Sequence, residues 1–165
     1  MDKEDIQHIG AGMLLAILSL VSLYCELPLW VSALSAGLLC LYIVLLIIEC
    51  AHRSKYPKDD EKIFKLPNRA WAFLLVILLT ITNVCAFANM YIKSEGVTYK
   101  EKDDVVIMTD KEDAIYFSSV TVTTLGYGDF TPTKDGRIYV VLHLASGLLL
   151  LFFIVPVIIA RVSSW

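Results

Sequence analysis

Four stretches of this chain contain no Asp, Glu, Lys or Arg: Ile9–Tyr24, Leu29–Ile48, Ala70–Ile92 and Ile138–Ala160. A helix rises about 1.5 Å per residue, so some 20 apolar residues cross the roughly 30 Å hydrocarbon core of a bilayer. The last three runs are long enough by themselves, and the first is long enough with its flanks. A soluble domain spreads its charges along the sequence, whereas here 57% of the 165 residues are apolar and the charges gather between the runs. The predicted fold class is therefore all-α and integral to a membrane. A formal charge of −3 without a basic tract argues against a nucleic-acid partner.

The leader "MDKEDIQH" is net acidic and no small-residue cleavage site precedes the second run, so the first run is expected to be a retained helix rather than a signal peptide. Pro28 in "CELPLW" breaks the helical pattern, which makes residues 1–50 a transmembrane hairpin. Residues 51–69 carry six Lys or Arg, the mark of a cytoplasmic linker. Within it, Ile63, Phe64 and Leu66 beside Lys62 and Lys65 suit a short interfacial helix, with a plain loop as the alternative. Asn68 stands at the N-cap position of the next helix, predicted over 70–92. The first two runs lack the spaced Arg or Lys of a voltage sensor. Ser32, Ala33, Ser35, Ala36 and Gly37 permit close helix contact there. The four cysteines show no metal-type spacing and read as small buried side chains.

Lys93–Asp113 is polar, with seven acidic and four basic residues, and cannot lie in lipid. At its end "TDKE", Thr109–Glu112, fits a capping box with Thr109 as the cap, so a helix is predicted over 110–123. At roughly 20 Å it is too short to span, and it must enter the membrane and return. Returning backbone at membrane depth survives only when buried in protein or lining a watery path. In "TLGYG", Gly126 and Gly128 adopt left-handed angles at little cost. Alternating left- and right-handed residues aim successive carbonyls at one axis. Four such strands around it make rings of oxygens that can replace the water around a weakly hydrated cation. The negative C-terminal end of the short helix favours the same charge.

"TVTTLGYGD" resembles the signature of potassium channels, whose filter motif is T-V/I/L-G-Y-G. The resemblance covers about Ala70 to Ala160. It implies a pore domain over 70–165: an outer helix 70–92, an extracellular turret 93–109, a pore helix 110–123, a filter 124–129 and an inner helix 137–162. Thr124, Leu125, Gly126, Tyr127 and Gly128 would then coordinate K⁺, which is the permeant ion rather than a cofactor. Tyr127 would brace the filter from behind, and Asp129 would stand at the outer mouth. Val120 falls where some relatives carry a glutamate, and Tyr116–Phe117 where voltage-gated relatives carry paired tryptophans, which departs from their pattern. Gly147 matches a flexible glycine of the inner helix, and Pro156 a kink.

The implied assembly is a homotetramer with fourfold symmetry, in contact with membrane lipid and lying in a plasma or cell inner membrane. Both termini are then cytoplasmic and the acidic turret faces outward, where it focuses cations. Helical spacing puts Leu151, Val155 and Ile159 on one stripe, read as cavity-lining, with packing on a neighbouring inner helix as the alternative. His143 reads as a packed, hydrogen-bonded histidine. No nucleophile–base pairing suggests an enzyme. The expected function is passive, potassium-selective permeation, against a weakly selective cation channel or a non-conducting regulatory subunit.

Overall fold

The chain is described by a computed structural model that covers residues 3–55, 69–101 and 104–156. Three long apolar helices form the frame: α1 (Lys3–Tyr24), α2 (Leu29–Lys55) and α3 (Arg69–Lys93). Their spans Ile6–Tyr24, Leu29–Ile48 and Phe73–Lys93 are each long and apolar enough to cross a membrane. Leu14, Ile17, Leu34 and Leu41 project outward from α1 and α2, an arrangement suited to hydrocarbon rather than water. The α1–α2 turn closes with Leu27 N–H donating to Ser22 O at 3.0 Å around Glu26, whose φ is +54°; Pro28 follows and starts the return.

The central helix is α3, which packs on α1, α2 and the two helices that follow. Lipid supplies no hydrophobic drive between helices, so polar side chains and close packing join them. Asn89 of α3 donates to Ser32 Oγ at 2.7 Å and to Ser22 Oγ at 3.0 Å, and those two hydroxyls lie 2.6 Å apart. One buried amide thereby ties α1, α2 and α3.

After α3 come β1 (Val97–Glu101) and β2 (Asp104–Ile107), then α4 (Lys111–Val122), β3 (Phe130–Pro132) and α5 (Arg137–Leu149). The strands form one antiparallel sheet in the order β2-β1-β3, with Tyr99 opposite Val106 on one side and Phe130 on the other. This small sheet was not expected from the polar composition of residues 93–109. The cap of α4 also differs from the expectation. Asp110, not Thr109, holds it: Asp110 Oδ2 accepts from Glu112 N at 2.8 Å and Asp113 N at 3.3 Å. A carboxylate accepts two N–H groups more strongly than a hydroxyl and also meets the positive end of the helix.

Beyond α5 the helix widens. Leu150–Ile154 is a π-helical turn in which Val155 N–H reaches back to Leu150 O. Pro156, which has no N–H to donate, follows directly. The proposed linker helix around Ile63–Leu66, the Asn68 cap, Ile159 and the rest of the inner-helix prediction to residue 162 lie outside the described residues.

Candidate functional site

The site begins where α4 ends. Leu125 N–H donates to Val120 O and Thr124 N–H to Thr121 O, both at 3.0 Å, with Thr124 at φ +60°. These paired bonds around a left-handed residue form a Schellman cap. A β-branched residue rarely adopts that angle. Thr124 therefore owes its backbone to the helix end, and the chain leaves α4 in a set direction.

Positive φ then recurs on every second residue: +60° at Thr124, +57° at Gly126 and +83° at Gly128. This alternation is what a strand needs to present its carbonyls to one side, and the two glycines take it without a side-chain penalty. A Cβ added at Gly126 or Gly128 meets no atom within 4 Å, so the glycines answer to backbone angle and not to crowding. Residues 123–129 are exposed in the single chain, with Leu125 at 60% and Tyr127 at 66%. A peptide with so many bare backbone groups does not face lipid. It needs a watery path or further protein around it.

The far end of this strand is braced by aromatic rings. Tyr116 of α4 stacks on Tyr127 (centroids 6.4 Å, planes 7° apart), and its hydroxyl donates to Asp129 Oδ2 at 2.7 Å. That carboxylate raises the Tyr116 hydroxyl above its ordinary value by accepting its proton in a hydrogen bond. Asp129 Oδ1 accepts from Phe130 N at 3.1 Å, and Phe130 pairs in the sheet opposite Tyr99. Tyr127 thus leans on the ring of Tyr116. The use of Tyr116 as the donor to Asp129 was missed, since the turn after α4 is what brings the two together.

Behind α4, Val120 is buried and Ser118 Oγ donates to Val84 O of α3 at 2.8 Å. Gly147 of α5 lies against the last residue of α4: a Cβ there would come 2.8 Å from Val122 Cγ2 and 3.2 Å from Val122 O. The glycine is thus required for close approach of the two helices, a packing reason beside the hinge role expected of it. His143 is fully buried, stacks on Phe87 at 4.2 Å and bonds Tyr91, the packed histidine the sequence suggested. Leu151 is exposed, Val155 half-buried and Pro156 exposed on the continuation of α5. Among the described residues no cluster of His, Cys, Asp or Glu could hold a metal ion.

The chain matches the family described as "Ion channel" over residues 75–164. It is also similar to "Probable potassium channel protein 2" of Methanocaldococcus jannaschii, 39% identical over 75 residues, which are 45% of this chain and 18% of that protein. A second relative from the same organism, "Hyperpolarization-activated voltage-gated potassium channel", is 33% identical over 81 residues, 46% of this chain and 35% of the relative. The matches thus span well under half of those relatives' lengths. No solved structure matches the chain.

Proposed function

This chain belongs to the ion channel family, and from that premise we propose that it forms a homotetrameric pore conducting potassium selectively and passively across a membrane. The observation that carries the reading is the alternation of left-handed angles at Thr124, Gly126 and Gly128 on a re-entrant strand. Oxygens of Thr124, Leu125, Gly126, Tyr127 and Gly128, repeated around a fourfold axis, replace the hydration shell of K⁺. Ions in adjacent rings repel one another, which keeps exit fast despite close coordination. The partial negative charge at the end of α4 holds the cation near mid-membrane. The relatives' printed names, both potassium channels, support the choice of ion.

Asp129 stands at the extracellular mouth, braced by Tyr116, and the acidic segment around it draws cations in. Both termini then lie on the cytoplasmic side. Leu151 and Val155 line the inner cavity, and a constriction there gates by expelling water. Pro156 and the π-helical turn before it supply the place where the inner helix bends. The exposed filter backbone of the single chain supports the tetramer, since neighbouring copies are what would enclose it.

The reading is tested by rubidium uptake into vesicles that hold this chain alone, loaded with potassium. Uptake driven by the potassium gradient supports it. Tetramers confirmed by crosslinking that show no flux above empty vesicles overturn it in favour of a non-conducting subunit.

A further inference from the structure

Two neighbouring residues of α3 bond two different helices. Asn83 Nδ2 donates to Ser146 Oγ of α5 at 3.0 Å, and the Ser146 hydroxyl lies 2.8 Å from His143 O and 3.3 Å from Asn83 Oδ1. The carbonyl of the next residue, Val84 O, accepts from Ser118 Oγ of α4 at 2.8 Å. Asn83, Ser118 and Ser146 are all buried. The third side of this junction uses no polar side chain. Gly147, beside Ser146, sits so close to α4 that a Cβ on it would fall 2.8 Å from Val122 Cγ2. One step of α3 thus fixes α4 and α5, and those two helices also rest on each other.

The junction lies directly behind the strand. Val122 is the last residue of α4, and the turn it closes supplies the strand's first bonds. Val120 O accepts from Leu125 N, and Thr121 O from Thr124 N, both at 3.0 Å. Backbone tied in this way goes wherever the end of α4 is put. Hydrogen bonds have a set length and direction, whereas apolar contacts are non-directional. Lipid also gives helices no hydrophobic drive to hold a register. The Asn83 amide and the Ser118 hydroxyl are therefore the groups that set the height of α5 and α4 on α3. A second buried amide on the same helix supplies the comparison: Asn89 bonds Ser22 of α1 and Ser32 of α2 instead.

We propose that Asn83 and Ser118 are positioning residues for the filter: through Ser146 and Val84 they fix the end of α4, and with it the start of the Thr124–Gly128 strand. This rests on reading that strand as a conducting filter. The test uses the full chain, with melting in detergent and the potassium-to-sodium permeability ratio in a bilayer as its two readouts. Ser146→Ala leaves the buried Asn83 amide without its partner and should lower both. Adding Asn83→Leu makes both partners apolar, so most of the melting temperature should return. The ratio should not return with it. It should stay lowered by about threefold or more, the size of one hydrogen bond between membrane helices.

Ser118→Ala removes the other hydroxyl without leaving a side-chain polar atom bare, and should lower the ratio by a similar factor. Asn89→Ala loses a comparable buried amide and should keep the ratio of the unaltered chain, which separates positioning from stability alone. A ratio in the Asn83→Leu, Ser146→Ala chain or in Ser118→Ala equal to that of the unaltered chain overturns the proposal. So does an equal fall in Asn89→Ala. In each of these cases the unaltered chain still prefers potassium, and only the positioning role fails. An unaltered chain that carries no current, or shows no preference, overturns the conducting reading and the positioning role with it.

Discussion

Gly126→Ala isolates the backbone from everything else in the proposed filter. The added Cβ would meet no atom within 4 Å in the chain, so steric crowding contributes nothing. What it opposes is φ of +57°. A left-handed angle costs an L-residue with a Cβ about 1–2 kcal/mol, or about 4–8 kcal/mol over four copies. Since about 1.4 kcal/mol is a factor of ten, even one copy's strain suffices to favour other conformations of the strand. Rubidium flux into vesicles should fall at least about tenfold while crosslinking still reports tetramers. Gly37→Ala serves as the control, because Gly37 also meets nothing within 4 Å but sits in the interior of α2. It should leave flux unchanged. Unaltered flux and ion preference in Gly126→Ala would refute the reasoning, since the left-handed angle would then have no bearing on conduction.

Three further outcomes follow from the packing. Gly147→Ala should destabilise the chain, because overpacking against Val122 costs about 1–3 kcal/mol and exceeds the roughly 1 kcal/mol helix gain. Val122→Ala removes the atom struck first but leaves the Val122 backbone, so the double variant should regain part of the lost melting temperature; no recovery would show that Gly147 does not serve to avoid that methyl. Asn89→Ala removes the donor that Ser22 and Ser32 share, leaving the two hydroxyls bonded only to each other, and should cost about 1–3 kcal/mol in a detergent melt, without altering ion preference; an unchanged melt would show that the network holds nothing together. Glu26 sits at the α1–α2 turn, and its carboxyl is held below its ordinary value of 4.5 by a hydrogen bond from Lys111, then by the charges of Lys111 and Lys93. A depressed carboxyl stabilises above 4.5 and loses that contribution as pH falls through its lowered value. The melting temperature of the unaltered chain should approach that of Glu26→Gln on acidification below 4.5, by a small amount because the pair faces water. Equal offsets at pH 7 and pH 4 would contradict the assignment.

The membrane class was legible because charge-free runs of spanning length have few other uses. The glycine-bearing strand after α4 was legible for a related reason: a capped helix too short to cross, followed by glycines, leaves the backbone few solutions. The left-handed angles at Gly126 and Gly128 follow from residue type, but that at Thr124 does not, since it comes from the Schellman cap of α4 and a threonine carries no sign of it. The sheet left a faint trace, β-branched pairs at Val97–Thr98 and Val105–Val106 on either side of a charged run, outweighed by the polar composition of the segment. The Asn89 node was not legible at all. Its partners are 57 and 67 residues away, and only the packing of α1, α2 and α3 selects them from the other serines. The same holds for His143 and Tyr91, 52 residues apart. The π-helical turn likewise has no local signature beyond the proline that follows it.

The central claim is that peptide oxygens of Thr124–Gly128 stand in for the water of a potassium ion. Reversal potentials across a bilayer holding the reconstituted chain, with potassium on one side and sodium on the other, test it most directly. A shift of at least about 59 mV in the direction of potassium, a tenfold preference, is the predicted result. A reversal potential near zero in a conducting bilayer would contradict it and leave a cation pore without a dehydrating filter.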